Sequence, residues 1–289
     1  MAGTAPFTTH KPMRDVTVAG IAFGRGRTMP LIAGPCVIED DALMMRTAET
    51  VKEITARLGI PWIFKSSFEK DNRGMPSGYR GPGIDEGLKL LQKVKTTFDV
   101  PVLSDVHRAE DVRAAAEVLD VIQIPAFLCQ QTSLLYTAGA AGRVVNVKKG
   151  QFLAPENMDS AVAKLEHAGC QQILLTERGT TFGYNKLVTD FMGIRVMQDL
   201  GYPVVADTTH MVRIYGIRSD DPRGGTPVHV PALSRAAAAA GCNGMFIETH
   251  PDPPRARCDA ASQFPLDRLE DLLAEVKAIA DLMRSFGEA

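Results

Sequence analysis

Short apolar runs rich in Val, Ile and Leu alternate along the chain with longer amphipathic stretches. The runs occupy residues 31–33, 62–64, 102–103, 121–124, 144–147, 173–175, 204–206 and 245–247. Continuous runs of this kind suit parallel strands buried on both faces. Between the first two, Met44, Ala48, Val51, Thr55 and Leu58 fall on one face of a helix. Leu266, Leu269, Leu273, Val276 and Met283 repeat the pattern near the end of the chain, and Ala-rich stretches at 114–118 and 236–240 suit helices lying close on strands. Eight such alternations in 289 residues predict the α/β class and a closed (β/α)₈ TIM barrel rather than an open doubly wound sheet. No interdomain linker interrupts the pattern, so one barrel domain is expected over 30–289. Residues 1–29 form an N-terminal extension, in which 16–23 reads as a small hairpin or plug over the barrel floor.

Composition narrows the function classes. The formal net charge is -2, with basic and acidic residues mixed along the chain, which leaves no polybasic footprint for nucleic acid or anionic lipid. No apolar run approaches the ~20 residues of a membrane span. The first residues, MAGTAPFTTHKPMRDV, lack the apolar segment of a secretory signal. Five cysteines, odd in number and scattered, argue against a disulfide framework and for a reducing compartment, the cytoplasm.

Barrel chemistry sits at the C-terminal strand ends, so the residues that follow each apolar run carry the information. In chain order these are Cys36, Lys65 with Ser67, Asp105 with His107, Gln123 within the fourth run, Lys148 with Lys149, Glu177 with Arg178, Asp207 with His210, and Glu248 with His250. A polar or ionisable group from every strand converges on one rim. Lys65, Lys70, Lys148 and Arg178, with Arg73 and Arg80 nearby, supply more cation than a neutral substrate needs and suit phosphate or carboxylate. Any one of them alone reads as a solvated surface charge. Cys36, His210, Glu248 and Asp259 make a mixed S/N/O set suited to Zn²⁺, Fe²⁺, Mn²⁺ or Co²⁺. Equally, Cys36 reads as a buried structural thiol and His210 as a hydrogen-bonded rim residue, and His107 and His250 are alternative ligands. His10, His167 and His229 read as surface or loop residues. Two loops stand out, the glycine-rich, basic 70–83 and the polar 213–229.

The segments LIAGPCVIE (31–39), FKSSFEKDNR (64–73), YRGPG (79–83), DVIQIPAFLC (120–129), VNVKKGQFLAP (145–155), LLTERGTTFGYN (174–185), ADTTH (206–210) and FIETHPDPPRARCD (246–259) resemble the 3-deoxy-D-manno-octulosonate 8-phosphate synthase family. The resemblance runs from about Leu31 to Leu266. It implies condensation of phosphoenolpyruvate with arabinose 5-phosphate: C3 of the enol phosphate attacks the aldehyde carbon, water adds at C2, and phosphate leaves by C–O cleavage. It also implies that Lys65, Ser67, Lys70, Gln123, Lys148 and Arg178 hold phosphoenolpyruvate. Asn72 and Arg73 would contact the acceptor sugar, and Asp105 would belong to the inner ring. Asp105, His210 and Lys65 are the catalytic candidates. Cys36 in the Gly-Pro-Cys segment matches the metal-dependent branch, with His210, Glu248 and Asp259 completing the ligand set of one divalent ion, although Cys258 before Asp259 is more similar to metal-free members. A homo-oligomer, a tetramer by resemblance, is expected.

The departures cluster on the acceptor side. Gly74 and Met75 stand where the family has Ser-Ser, and Gln130 stands where it has an arginine that reaches a neighbouring subunit's acceptor phosphate. Gly224-Gly225-Thr226-Pro227 replaces a Gly-Gly-Arg-like segment. Donor chemistry with a different aldose is therefore the alternative reading. Others are a Schiff-base aldolase using Lys148 or Lys65, the related class making the seven-carbon phosphate of the aromatic pathway, and a non-enzymatic binding barrel.

Overall fold

A computed structural model describes residues 11–218 and 221–287. His10 and the first part of the expected extension lie outside the described residues. The eight apolar runs form eight parallel strands: β3 (Leu31–Gly34), β4 (Trp62–Lys65), β5 (Val102–Asp105), β6 (Val121–Ile124), β7 (Val144–Lys148), β8 (Ile173–Glu177), β9 (Val204–Asp207) and β10 (Gly244–His250). Each pairs with the next, and β10 pairs with both β9 and β3, which closes the barrel. Every residue of these strands is buried, as continuous apolar runs require.

Helices separate the strands: α1 (Asp41–Leu58), α2 (Ile84–Phe98), α3 (Val112–Val118), α4 (Thr132–Gly139), α5 (Asp159–His167), α6 (Met192–Gln198), the short α7 (Thr208–Met211), α8 (Val230–Ala239) and the closing α9 (Leu269–Ser285). On α1, the side chain of Asp40 accepts from the backbone N–H of Leu43, and Gly59 ends the helix in the left-handed region. Met44, Ala48, Val51 and Thr55 are its buried face, as the spacing predicts, while Leu58 is half-buried. The alanines of α8 allow close approach to the barrel, where Ser234 donates to or accepts from Thr208 at 2.9 Å.

Before the barrel, β1 (Val16–Val18) and β2 (Ile21–Phe23) form the expected antiparallel hairpin. Its buried Val16, Val18 and Phe23 join the barrel core, and the Phe23 ring packs against Gly244 at the start of β10. At the opposite end, β10 outlasts its barrel neighbours. Its last two residues pair with β11 (Phe264–Pro265), which brings segment 251–263 back over the rim. That return places Asp259 beside β10, with a backbone φ of 48° that an aspartate tolerates better than most residues.

Gly34 ends β3 where the chain turns toward Cys36. A Cβ there would lie 2.0 Å from the Lys65 carbonyl oxygen, and φ is 157°. We expect Gly34→Ala to push β3 and β4 apart and lower stability by about 2–3 kcal/mol or more. Urea unfolding of both proteins measures it, and an unchanged midpoint would contradict the close approach.

Candidate active site

The interior of the barrel is apolar below and polar above. Thr176 of β8 donates to Asn146 Oδ1 on β7 at 2.7 Å, and Asn146 donates to Gln123 Oε1 on β6 at 2.8 Å. Gln123 in turn donates to Asp105 Oδ1 on β5 at 2.5 Å. Register puts Gln123 opposite both Asp105 and Asn146, so the ladder itself aligns these amides. The other Asp105 oxygen accepts from Ser67 at 2.6 Å and from Lys70 Nζ at 3.0 Å. Burial pushes the Asp105 carboxyl up, but Lys70, Lys65 and Lys148 outweigh it and hold the group well below the ordinary range.

Beside this ladder, Lys148 Nζ lies 2.6 Å from Asp207 Oδ2 and 3.5 Å from His210 Nδ1, while His210 Nδ1 is 2.7 Å from the same Asp207 oxygen. Asp207 also caps the short turn α7 (Thr208–Met211) by accepting from the His210 backbone N–H, which fixes that side chain's position. Lys65 Nζ donates to Glu248 Oε1 at 2.5 Å and to the Cys36 carbonyl at 2.8 Å. Phe246 is the apolar floor under both lysines, with Lys148 Nζ 4.1 Å and Lys65 Nζ 5.7 Å from its ring centre.

Two ligand-type groups meet at Asp259. One is Cys36, Cys258 and Asp259, and the other His210, Glu248 and Asp259, with ligand atoms in each group within 4.8 Å of one another. The Cys36 and Cys258 sulfurs are 2.9 Å apart, and the Cys36 sulfur is 3.4 Å from Asp259 Oδ2. Gln263 ties the two cysteine segments together: its Oε1 accepts from the Cys36 N–H and its Nε2 donates to the Cys258 carbonyl. All five cysteines are free and buried. Glu248 Oε2 is enclosed without a hydrogen-bond partner and lies 4.0 Å from His210 Nε2. Burial raises the Glu248 carboxyl, yet Lys65, His210 and Lys70 bring it down to about 2. Burial, with Cys258 beside it, pushes the Cys36 thiol up.

Above these groups opens a cavity of about 220 Å³ lined by Lys70, Asn72, Arg73, Lys148, Arg178 and His210 among others. Asp105 and Asp259 reach its wall too, whereas Cys36, Lys65, Ser67, Gln123 and Glu248 are not part of its lining. The sequence-predicted residues are therefore brought together in two tiers. His107 and His250 fall outside both ligand groups, and His167 and His229 are exposed as expected. Sequence reasoning missed Tyr215, whose hydroxyl accepts from Arg178 at 3.1 Å, and Phe127, whose ring meets Tyr215 edge-on. It also missed Arg213, which lines the cavity 3.9 Å from Asp259 Oδ1. Position in a polar loop was the only signal for Arg213 and Tyr215, and Phe127 sits just past the β6 run.

A closed barrel with a cation-lined mouth over a mixed thiol, imidazole and carboxylate set defines a barrel enzyme for small anionic substrates. The chain belongs to the DAHP synthetase I family, whose sequence profile matches residues 8–285. It is 50% identical over 272 residues to a 2-dehydro-3-deoxyphosphooctonate aldolase of Syntrophotalea carbinolica, covering 94% of this chain and 98% of the relative. Proteins of the same name from Geobacter sulfurreducens and Acidithiobacillus ferrooxidans are 47% and 48% identical over 271 and 268 residues. These alignments cover 94% and 93% of this chain and 99% and 95% of the relatives. Among the described residues, no helix is long and apolar enough to cross a membrane.

The Asp105 hub predicts a pH signature. A carboxylate held below its unfolded value stabilises the fold at pH above about 3.8, and loses that contribution as pH falls through the folded value. Asp105→Asn should cost roughly 3 kcal/mol at pH 7 by leaving Lys70 without its buried partner. The difference from the parent should shrink below pH 3.8. Urea midpoints of both proteins across that range test it, and a constant difference would reject the assignment.

Proposed function

We propose that this chain condenses phosphoenolpyruvate with arabinose 5-phosphate to give 3-deoxy-D-manno-octulosonate 8-phosphate and inorganic phosphate. The observation that carries the reading is the convergence of Lys70, Arg73, Lys148 and Arg178 on one cavity of about 220 Å³ directly above the ligand-type groups. Two small multiply anionic substrates need that excess of fixed cation, and the name borne by the relatives agrees.

In this reading Lys65, Ser67, Lys70, Gln123, Lys148 and Arg178 serve the phosphoenolpyruvate end, either at the wall or by holding those at the wall. Asn72 and Arg73 serve the acceptor. Fixed ammonium and guanidinium groups neutralise phosphate and carboxylate and allow the electron-rich C3 to approach the aldehyde carbon. The new C3–C bond forms as the aldehyde oxygen takes a proton. Lys148 and His210, both on the cavity wall, are the groups placed to supply it, with Asp207 holding each in orientation. Water then adds its hydroxyl to the electron-deficient C2, its proton returning to the group that protonated the aldehyde oxygen. The C2–O bond to phosphate breaks as the hydroxyl proton passes to the departing phosphate, leaving a C2 ketone. Asp105 works by anchoring Lys70, and Lys65 by neutralising Glu248.

The donor set fits one divalent metal. The enclosed Glu248 Oε2 has no hydrogen-bond partner, and His210 turns Nδ1 to Asp207 Oδ2 at 2.7 Å, leaving Nε2 toward Glu248 and Asp259. Cys36, His210, Glu248 and Asp259 would hold Zn²⁺, Fe²⁺, Mn²⁺ or Co²⁺, and Cys258 lies within reach of the same position. Such an ion supplies Lewis-acid orientation of the acceptor aldehyde or of the attacking water. Its field also opposes the burial that keeps the Cys36 thiol protonated.

A second reading keeps the donor and changes the aldose. Gly74 lines the cavity with open space around any added Cβ, and Gln130, exposed at the rim, brings no charge. The Schiff-base alternative finds less support, because Lys65 and Lys148 are both ion-paired to buried carboxylates. We further place the enzyme in the cytoplasm as a homo-oligomer, a tetramer. The exposed Phe152, Phe182 and Met192 near the β7 and β8 rim support a second copy covering that side.

Phosphate release from phosphoenolpyruvate, measured with arabinose 5-phosphate and with a panel of other aldoses, tests the reading. Fast turnover with arabinose 5-phosphate, abolished by chelator and restored by a divalent ion, is expected. Release only with another aldose would establish the second reading. Cys36→Ser should lower bound divalent metal at least tenfold by elemental analysis, and full retention would remove Cys36 from the ligand set.

A further inference from the structure

Arg213 is a charged side chain with only 13% of its surface exposed, yet among the described residues its guanidinium makes no hydrogen bond. Among the described residues its one ion-pair partner is Asp259 Oδ1 at 3.9 Å, too far for a hydrogen bond. Asp259 Oδ2 is directed instead to His210 Nε2 at 3.6 Å and to the Cys36 sulfur at 3.4 Å. A guanidinium carries five N–H donors, and enclosing even one of its nitrogens without an acceptor, as Nη1 is here, is costly. Native folds keep such groups where a ligand supplies what the protein withholds.

Local structure holds Arg213 in this state. Its backbone N–H donates to the His210 carbonyl at 3.2 Å, and Arg213 bridges Gly225 across the loop. Next to it, the Ile214 N–H donates to the Gly224 carbonyl at 3.0 Å. Gly224 leaves room for the guanidinium: a Cβ there would stand 3.3 Å from Arg213 Nη1 and 2.4 Å from the Arg218 carbonyl oxygen. The residue is thus seated by backbone contacts rather than by ion pairing.

Across the same cavity Arg178 repeats the pattern. Its Nη1 donates to the Tyr215 hydroxyl, but its buried Nε has no partner. The other buried cations of this wall are committed, Lys70 to Asp105 and Lys148 to Asp207. Arg178 and Arg213 both line the cavity, and each keeps a buried guanidinium nitrogen without a partner among the described residues.

We infer that Arg213 is a further substrate-binding residue, which together with Arg178 takes an oxyanion of a bound substrate, a phosphate or a carboxylate. The inference rests on the function proposed above. It also gives that function a cation from the loop after β9, near the side where Gly74 and Gln130 bring none. The oxyanion belongs either to phosphoenolpyruvate or to the acceptor phosphate, and separate titration of the two substrates distinguishes them.

The test compares the parent with Arg213→Gln and Arg213→Lys. Arg213→Gln should raise KM for one of the two substrates roughly 10- to 100-fold, with kcat changed much less, and should weaken binding of inorganic phosphate measured by calorimetry. Arg213→Lys should recover part of both effects, and bound divalent metal should be unchanged in each. Two results overturn the inference: KM values and phosphate affinity within about twofold of the parent, or losses that track metal content and vanish on metal addition. The second would mean that Arg213 only props Asp259. If the parent turns over no aldose, the proposed function fails by itself, and phosphate calorimetry on parent and Arg213→Gln still decides the role of Arg213. Melting temperatures of both variants show whether either has lost its fold.

Discussion

The carboxylate of Asp105 accepts from Ser67, Lys70 and Gln123 at once, and the polar half of the barrel interior is organised around that one group. A buried carboxylate with three donors is tolerable, whereas one with a missing donor is not. Each donor is in turn fixed: Gln123 by Asn146 and Asn146 by Thr176. The arrangement pulls Lys70 out of the 70–83 loop and onto the barrel wall, so the anchor of the inner ladder also sets the position of a cavity cation.

The same logic repeats around the ring. Glu248 is matched to Lys65, Asp207 to Lys148, and Glu177 to Lys149 beneath Arg178. These pairings balance most of the buried charge internally, and among the buried atoms left without a partner are some that face the ligand groups or the cavity. Glu248 Oε2 and Arg178 Nε are the clearest cases. Cation excess at the mouth and ligand excess beneath it are two outcomes of one charge-matching scheme.

Much of this was legible in the chain. Eight Val- and Ile-rich runs are all eight barrel strands, because a strand buried on both faces has to be apolar throughout, and the residues just past each run are the rim. Which of those residues meet was harder to read. Lys65 and Glu248 are separated by 183 positions, and only barrel closure between β10 and β3 brings them together. Cys258 stayed outside the predicted ligand set because its type there is more similar to metal-free members. Its approach to Cys36 depends on β11 returning segment 251–263 to the rim, a two-residue pairing that leaves no periodic trace. Arg213 and Tyr215 lie in a loop whose conformation is set by Gly224 and Gly225 contacts rather than by any repeat.

The N-terminal hairpin has a consequence for traffic. With Val16, Val18 and Phe23 packed into the floor of the barrel and Thr17 tied to Gln172, the lower end is stoppered by side chains. Among the described residues, what enters the cavity leaves by the way it came, past the rim where Phe127 meets Tyr215. In the proposed condensation, two reactants and two products share one doorway and have to queue. The deeper occupant of the cavity is then the first to arrive and the last able to depart, an ordering imposed by the shape of the vessel before any affinity is considered.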